Sequence, residues 1–333
     1  MCRRLASQFL ALTRYCVMFM DMSRDALTQF TAGPMHPRYA LIARWPWLHR
    51  NPPGTATVHH EDLAGDVKIM SVLRLIQFTD PHLYGSETET LRGIATLPAL
   101  KAALADAQQS AAWPPDVVLV TGDLVQDDPG GYAHIRRVFG PLGMPVLCIP
   151  GNHDDPAVMR RELRADPFTV GGFRDSGAWR IVLLDSCLPG SASGQLSEKT
   201  LTQLDHALRT AEGRHCLVTL HHHPVAMSSR WLDRVGLDNA QEFWSVIDRH
   251  SNVRAILWGH VHQSYEGLRK DVRLLATPST CAQFVPHADE FAVDRRPPAY
   301  RTLELRPDGS LLTEVVWVEK RVAGSSHSVC SAA

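Results

Sequence analysis

The chain has 333 residues, 44% of them hydrophobic, and a formal net charge of -1 at pH 7. This share of apolar side chains supplies a sizeable folded core and excludes wholesale disorder, and the length suits one large domain or two smaller ones. A charge so close to zero gives no global electrostatic reason to expect a nucleic acid or an anionic membrane surface as a partner.

Cysteine usage and hydropathy bear on the cellular compartment. The sequence contains 7 cysteines, an odd number, and no C-x-x-C motif, which favours reduced thiols over a disulfide framework. The sequence has no apolar stretch of about 18 residues, the length that spans a bilayer. Residues 9–20 faintly resemble a signal peptide, but Arg14 interrupts them. We therefore expect a cytoplasmic protein without a membrane span.

The N-terminal part of the sequence differs from the rest. Residues 44–66 are rich in Pro and Gly and show no sustained hydrophobic period, so we predict a poorly ordered extension over residues 1–68. A short helical appendage around residues 5–30 is the alternative. A compact domain is expected over residues 69–320, followed by a flexible tail over residues 321–333.

From Met70 onward one pattern recurs, in which an apolar run of strand length ends abruptly in polar residues. The runs do not alternate between polar and apolar positions, so both faces of each strand are expected to be buried. In chain order they are VLRLIQF, DVVLV, MPVLCIP, WRIVLLD, HCLVTL and VRAILW, which begin at residues 72, 116, 144, 179, 215 and 253.

Segments with helical composition lie between several of these runs, at residues 91–110, 196–213 and 239–250. Pro98 is expected to kink or divide the first segment. Ser197 is predicted to cap the second segment, and Gly213 to end it. Alternating strands and helices indicate an α/β fold. The turn sequence RPDG at 306–309 predicts an antiparallel hairpin near the end of the domain.

Five of the six apolar runs end in residues of the types that bind metals. Because ligands of open α/β sheets bind outside the carboxyl ends of the strands, these side chains are expected to converge on one site. Carboxylates and imidazoles without thiolates fit Mn, Fe, Zn or Co better than a calcium cage or a cysteine-rich structural zinc site. The residues are Asp80, His82, Asp123, Asn152, His153, His221, His222, His223, His260 and His262.

The spacing within these clusters suggests two metal ions. Asp80 and His82 are two positions apart, so an extended chain directs both side chains to one side. His260 and His262 repeat this spacing. Asp123 follows a glycine at a sharp turn, and its carboxylate can bridge two cations. Two cations about 3.5–4 Å apart lower the pKa of a shared water and hold a phosphate for in-line attack.

The ordered motifs resemble those of the calcineurin-like metallophosphoesterase superfamily, whose pattern is D-x-H, GD, GNH, a strand-end histidine and GH-x-H. Here they are DPH at 80–82, GD at 122–123, GNHD at 151–154, HHHP at 221–224 and GHVH at 259–262. A closer similarity, to bacterial class III cyclic AMP phosphodiesterases, extends over roughly residues 70–318 and includes TGDLVQD, PGNHD, SRWLD and LLATPSTCAQF. Pro81 departs from the more usual Ser, Thr or Leu and is expected to keep Asp80 extended.

The resemblance implies a β-sandwich flanked by helices, in α/β/β/α layers, with two divalent metal ions at the carboxyl ends of the strands. Fe²⁺ and Mn²⁺ are the expected ions, with Zn²⁺ and Co²⁺ as alternatives. Asp123 is implied to bridge the two ions. The further implied ligands are Asp80, His82 and His262 for the first ion, and Asn152, His221 and His260 for the second.

The resemblance also implies a reaction, the hydrolysis of 3',5'-cyclic AMP to 5'-AMP by a hydroxide that bridges the metals. Asp123 and His153 are the implied catalytic residues. The resemblance places His153 beside the phosphate, as the donor to the departing 3' oxygen or as a stabiliser of the transition-state charge. Protonation of the oxygen is the expected role because imidazole titrates near neutrality. The implied substrate-binding residues are His82, Asp123, Asn152, His153 and His262.

Two other functions stay open. One is a metallophosphodiesterase for other phosphodiesters, such as 2',3'-cyclic nucleotides or glycerophosphodiesters, and the other is an inactive metal-binding scaffold. The sequence retains every implied ligand and His153, which favours an enzyme. A small cyclic nucleotide is the expected partner. The preference for adenine over guanine and a homodimeric state both stay open.

Residues beside the motifs are expected to play supporting parts. In the histidine triplet, His221 is expected to bind metal, because it comes first after the apolar run. His222 is expected to point to the opposite side of an extended chain, and His223 to share the side of His221. Asp154 is predicted to orient His153 by a hydrogen bond.

Five further residues near the motifs are expected to have structural or peripheral roles. Asp155 is predicted to cap a helix that begins at the next residue. Asp127 and Asp128 are expected to be solvated turn residues. Trp231 is expected to be a core or lid residue, and His287 to lie near the substrate.

Overall fold

The computed structural model of the chain describes residues 71–318. The extension predicted over residues 1–68 and the tail predicted over residues 321–333 lie outside the described residues. Within the described part, no helix combines the length and the apolar character needed to cross a membrane.

The domain is built from strands that alternate with helices and ends in an antiparallel hairpin. In chain order the elements are β1 (Leu73–Phe78), β2 (Thr90–Leu91), β3 (Ile94–Ala95), α1 (Thr96–Ala107), β4 (Val117–Thr121), α2 (Gly131–Phe139), β5 (Val146–Ile149), α3 (Pro156–Glu162), β6 (Phe168–Val170), β7 (Gly172–Ser176), β8 (Trp179–Leu183), α4 (Glu198–Arg209), β9 (His215–Thr219), α5 (Ala240–Ile247), β10 (Val253–Trp258), β11 (Tyr265–Arg269), β12 (Val272–Ala276), β13 (Gln283–Phe284), β14 (Val293–Asp294), β15 (Ala299–Leu305) and β16 (Leu311–Trp317).

Two mixed six-stranded sheets form the centre of the fold. In the first, of order β16-β15-β1-β4-β5-β6, strands β1, β4, β5 and β6 are parallel, and β15 runs antiparallel to both β1 and β16. In the second, of order β11-β12-β10-β9-β8-β7, strands β8, β9, β10 and β12 are parallel. The carboxyl ends of β1, β4 and β5 therefore lie side by side in one sheet, and those of β9 and β10 lie side by side in the other.

The central strands are buried on both faces because each sheet is covered twice. Leu75, Leu119 and Leu257 belong to the apolar cluster between the two sheets. Ile76 and Val118 face the other way and pack with residues of α1 and α2, while α4 and α5 cover the outer face of the second sheet. These four layers confirm the expected α/β/β/α architecture and explain why the apolar runs lack alternation.

Most local predictions from the sequence are confirmed. All six apolar runs form strands, and RPDG lies in the turn between β15 and β16. Ser197 caps α4 by accepting a hydrogen bond from the backbone N–H of Thr200 at 3.1 Å. The prediction that Pro98 kinks or divides its segment is wrong. Because α1 begins at Thr96, Pro98 lies in the first turn, where a backbone N–H has no partner within the helix.

Candidate metal centre

Polar side chains from both sheets meet at the carboxyl ends of the strands. The Nε2 atoms of His82 and His262 lie 3.1 Å apart, and Nε2 of His262 lies 3.3 Å from Oδ1 of Asp80. Oδ2 of Asp123 lies 3.7 Å from Nε2 of His82 and 3.3 Å from Nε2 of His221. Asp123 therefore lies between side chains that follow β1 and side chains that follow β9, which is where a bridging ligand belongs.

The backbone of these loops is tightly turned. The φ angles are 52° at Asp80, 48° at His82, 50° at Asp123, 65° at His260 and 48° at His262. Residues other than glycine rarely adopt this left-handed region, and those that do cluster at functional sites. The predictions of an extended chain from Asp80 to His82 and from His260 to His262 are therefore wrong.

Contacts between neighbouring loops hold the turned backbone in place. The backbone N–H of Asp80 donates to the carbonyl of Gly122 at 3.1 Å, and that of His82 donates to the carbonyl of Asp123 at 2.9 Å. Pro81 disfavours an α conformation of the residue before it, but this preference does not outweigh the two hydrogen bonds. The loop after β1 is thereby paired with the loop after β4.

Two glycines of the motifs leave room for the ligand side chains. A Cβ at Gly122, where φ is 93°, would lie 2.1 Å from Nδ1 of His221. A Cβ at Gly151 would lie 2.2 Å from Oδ1 of Asp123. Both distances are far inside atomic contact, so these positions need glycine because neighbouring ligand side chains already occupy the space.

Backbone carbonyls fix the tautomers of two histidines. Nδ1–H of His221 donates to the carbonyl of Thr121 at 2.9 Å, and Nδ1–H of His262 donates to the carbonyl of Ala282 at 2.6 Å. A carbonyl oxygen only accepts hydrogen bonds, so each Nδ1 carries a proton and each Nε2 is the nitrogen that can bind a metal.

Several buried polar atoms of the site have no hydrogen-bond partner. Within residues 71–318 these include Nε2 of His221, Nε2 of His260 and Oδ1 of Asn152. Leaving such atoms unsatisfied costs about 1–3 kcal/mol each, and a cation is the partner that all three can share.

The side chains also form groups of three whose ligand atoms lie within 4.8 Å of one another. The groups are Asp80–His82–His262, Asp80–Asp123–His221, His82–Asp123–His153 and His221–His222–His260. Oxygen and imidazole donors without thiolates suit divalent cations of borderline softness. The residues present therefore fit a divalent metal centre.

Charges within the site keep both carboxylates ionised. Burial raises the pKa of Asp80, but His262 and His221 outweigh burial and hold the pKa below its ordinary value. Burial likewise opposes ionisation of Asp123, yet the neighbouring His221 holds the pKa of this carboxyl well below the usual range. Burial lowers the pKa of His82 to about 4 although Asp123 opposes this, so this imidazole is neutral, as a metal ligand must be.

In the metal-free protein a proton on His221 offsets these carboxylates. Burial lowers the pKa of His221, but Asp123 and Asp80 outweigh burial and raise the pKa from 6.5 to about 9. A histidine with a raised pKa contributes stability that is fully present below its unfolded pKa and is lost as the pH rises through its folded pKa.

We therefore expect the melting temperature of the metal-free protein to fall between pH 6.5 and about pH 9, the two pKa values of His221. Metal binding displaces the proton, so metal-loaded protein should lack this decline. Calorimetry of chelator-treated protein checks the prediction, with His221→Ala as the control that removes the titrating group. A melting temperature that stays level or rises over this interval would contradict the assignment.

The structure changes the assignment of the residue that orients His153. Nδ1 of His153 lies 3.0 Å from Oδ2 of Asp127, to which its N–H can donate, and 2.8 Å from the amide nitrogen of Gln126. The amide of Gln126 donates to the same carboxylate oxygen at 2.9 Å. Asp127 is exposed, as predicted, but it also holds the imidazole. The prediction that Asp154 orients His153 is wrong.

Asp154 turns inward and binds backbone groups instead. It accepts hydrogen bonds from the backbone N–H of Gly151 at 2.9 Å, from that of Leu124 at 3.0 Å and from the hydroxyl of Tyr132 at 2.8 Å. Burial and the nearby Asp123 raise the pKa of Asp154 to about 7. The side chain thereby ties the loop after β4 to the loop after β5.

The second histidine of the triplet also differs from the prediction. The ring centroid of His222 lies 5.0 Å from that of His221 and 4.8 Å from that of His260. The prediction that His222 points to the opposite side is wrong, because the chain bends at His221 and His222 once β9 has ended. His223 stacks on His260 with centroids 5.6 Å apart.

Other residues with predicted supporting roles are also placed by the structure. Asp155 caps α3, as predicted, by accepting hydrogen bonds from the first backbone N–H groups of the helix. Trp231 is half-buried and packs edge-on against Phe284, whose ring stacks on that of His262 with centroids 4.1 Å apart. His287 is exposed in the loop between β13 and β14.

A cavity of about 470 Å³ opens beside Asn152. Its volume lies within the range of about 300–1,000 Å³ that is usual for small-molecule sites. Its wall combines apolar side chains, such as Leu188 and Pro189, with polar ones, such as Gln195 and Ser197. Asn152, one of the implied metal ligands, therefore also lines a space that is large enough for a small molecule.

The four-layer fold and its oxygen and imidazole donors are typical of metal-dependent hydrolases. The chain belongs to the calcineurin-like phosphoesterase family, whose model matches residues 73–264. It is 37% identical over 264 residues to the 3',5'-cyclic adenosine monophosphate phosphodiesterase CpdA of Pseudomonas aeruginosa. This alignment covers 78% of this chain and 94% of that protein. The chain is 38% identical to CpdA of Escherichia coli K12, over 76% of this chain and 91% of that protein.

Solved structures show the same fold at low sequence identity. A dimetal phosphatase from Danio rerio matches with a TM-score of 0.52 and 15% identity, over 73% of this chain and 98% of that chain. GAP50, the anchor in the inner membrane complex of Plasmodium, matches with a TM-score of 0.52 and 12% identity, over 75% of this chain and 85% of that chain. The fold therefore does not by itself distinguish an enzyme from an anchor.

Proposed function

We propose that the chain hydrolyses 3',5'-cyclic AMP to 5'-AMP and so lowers cellular cyclic AMP. The observation that carries this proposal is the long alignment with two relatives named as cyclic AMP phosphodiesterases, at 37% and 38% identity over more than nine tenths of each relative. The candidate centre supports it, since all the implied ligand residues and His153 are present in this chain.

We further propose that two divalent ions, Fe²⁺ or Mn²⁺ in preference to Zn²⁺ or Co²⁺, occupy the centre. The ligands would be Asp80, His82, Asp123 and His262 for one ion, and Asp123, Asn152, His221 and His260 for the other. Bound divalent cations supply activation of a water molecule and neutralisation of charge on the phosphate. The central position of the Asp123 carboxylate, between His82 and His221, supports its role as the shared ligand.

His153 is the proposed proton donor to the departing 3' oxygen. Its ring centroid lies 5.3 Å from that of His82, and its side chain is 32% exposed, so a substrate can reach it. Because Nδ1 faces the carboxylate of Asp127, Nε2 is the nitrogen that faces a substrate. The doubly protonated imidazolium carries a proton on Nε2 and returns to the neutral ring when it gives this proton to the departing oxygen. A phosphate at the candidate centre and a nucleoside in the cavity beside Asn152 would place the reacting bond near this imidazole.

A cytoplasmic location is proposed with this function. The four cysteines within the described residues, Cys148, Cys187, Cys216 and Cys281, are all free thiols. Free thiols are typical of proteins kept in a reducing compartment.

Substrate specificity tests the proposal directly. Purified protein supplied with Mn²⁺ is assayed with 3',5'-cyclic AMP, 3',5'-cyclic GMP, 2',3'-cyclic AMP and a glycerophosphodiester. We expect the highest kcat/KM with 3',5'-cyclic AMP and 5'-AMP as the product. Turnover confined to the other diesters would overturn the substrate assignment, and metal binding without any turnover would indicate a scaffold.

A further inference from the structure

The histidine triplet places a third imidazole beside two of the proposed ligands. The ring centroids of His221, His222 and His260 lie 5.0, 5.1 and 4.8 Å apart in pairs, so the rings form a nearly equilateral triangle. One ligand nitrogen from each ring lies within 4.8 Å of those of the other two. The family motif and the implied ligand set account for His221 and His260 but leave His222 without a role.

The nitrogen atoms of His222 have unequal surroundings. Nδ1 lies 2.8 Å from the hydroxyl of Ser186, which is itself fully buried. Nε2 is buried and has no hydrogen-bond partner within the described residues, as is also true of Nε2 of His221 and of His260. Both nitrogens of the neighbouring His223 are likewise without a hydrogen-bond partner, so this lack alone does not identify a ligand. The nitrogens of His221, His222 and His260 differ because they also lie within 4.8 Å of one another, which suits a cation that all three bind.

The loop around Ser186 confines the His222 ring to this position. A Cβ at Gly194 would lie 2.3 Å from Nδ1 and 2.4 Å from Cγ of His222. The backbone of Gly194 is held by bridges to Cys187 on one side and Leu237 on the other. The ring therefore has no room to swing toward Gly194, and it stays beside His260.

We propose that His222 supplies a third imidazole ligand to the metal ion held by His221 and His260, and that Ser186 orients its ring. This inference rests on the proposed occupation of the centre by divalent ions. The competing role is purely structural, since the carbonyl of Ala192 also lies near the ring, and a hydrogen bond to it would make His222 a support of the loop.

Metal titration separates the two roles. The full chain is stripped with a chelator and titrated with Mn²⁺ by calorimetry, as wild type, His222→Ala and Ser186→Ala. We expect Ser186→Ala to weaken the binding of one ion by about 10- to 100-fold while the other binds as in wild type. His222→Ala should weaken the binding of the same ion by more, because it removes the proposed ligand itself.

His223 provides the matched control. It is the next residue, is also buried and stacks on the same His260 ring. Among the described residues, however, it belongs to no group of potential ligand atoms. His223→Ala should bind Mn²⁺ as wild type does. Wild-type affinity in His222→Ala, or equal losses in both variants, would overturn the proposal.

Two further measurements keep the test decisive. If His222→Ala does not fold, His222→Gln takes its place in the titration. The ¹⁵N spectrum of the wild type is also recorded with and without Zn²⁺, and we expect the His222 Nε2 resonance to shift on metal binding. An unshifted resonance overturns the proposal. Cyclic AMP hydrolysis is measured on the same wild-type preparation. If the wild type does not hydrolyse cyclic AMP but His222→Ala still weakens metal binding, the proposed function is refuted and the ligand assignment stands.

Discussion

Replacing Asp123 by alanine is expected to abolish turnover of 3',5'-cyclic AMP. Oδ2 of this carboxylate lies 3.3 Å from Nε2 of His221 and 3.7 Å from Nε2 of His82, so its loss affects both halves of the proposed centre. Metal ions supply several kcal/mol of transition-state stabilisation, and each 1.36 kcal/mol is tenfold in rate, so we expect kcat/KM to fall by at least about 10³-fold. Steady-state kinetics and metal analysis of the same preparation measure both losses.

Asp271→Ala is the control for this experiment. Asp271 is exposed in the turn between β11 and β12, so removing it changes the same residue type and charge at a distance from the site's loops. It should leave both rate and metal content at wild-type values. An Asp123→Ala variant that keeps more than about a tenth of wild-type activity, a loss of less than 1.4 kcal/mol, would contradict the two-metal arrangement.

Replacing His153 by alanine is expected to slow the reaction without releasing metal. A positioned general acid contributes about 10²–10⁴-fold, so kcat with cyclic AMP should fall within this range. The loss should be much smaller with methyl 4-nitrophenyl phosphate, because nitrophenolate departs without protonation. Comparing kcat for the two substrates, together with metal content, checks the role of the imidazole as a proton donor.

Asp127→Asn tests how His153 is oriented. The amide oxygen of asparagine still accepts a hydrogen bond from Nδ1–H, but the substitution removes the negative charge. We therefore expect a smaller loss of kcat than for His153→Ala, and again a larger loss with cyclic AMP than with methyl 4-nitrophenyl phosphate. Equal losses with both substrates in His153→Ala would contradict proton donation and would point to a role in binding or charge stabilisation.

The sequence predicts the strands well because burial on both faces leaves unbroken apolar runs. It also predicts where the site lies, since parallel strands deliver their carboxyl ends to one edge. The conformation of the loops does not follow from these patterns. Asp80 and His82 have left-handed backbone angles that depend on hydrogen bonds to residues some 40 positions away, and no local spacing rule contains that information.

The side-chain contacts of the supporting residues also do not follow from local sequence patterns. Asp154 is adjacent to His153 in sequence, yet its carboxylate bonds inward to Leu124 and Tyr132, while Asp127 reaches the imidazole from another loop. His222 is misplaced for a related reason, because the period-two rule for strands ceases to apply where β9 ends at Thr219. Side-chain partners drawn from separate loops therefore need the folded structure, whereas the proposed ligand set follows from the family resemblance.

We expect the phosphodiesterase activity of this chain to require two divalent ions in one centre. The most direct measurement titrates Mn²⁺ into metal-free protein and follows bound metal and cyclic AMP hydrolysis in the same sample. Hydrolysis should appear only as the second ion binds and should reach its maximum at two ions per chain. Full activity at one ion per chain, or no hydrolysis of cyclic AMP at two, would contradict this expectation.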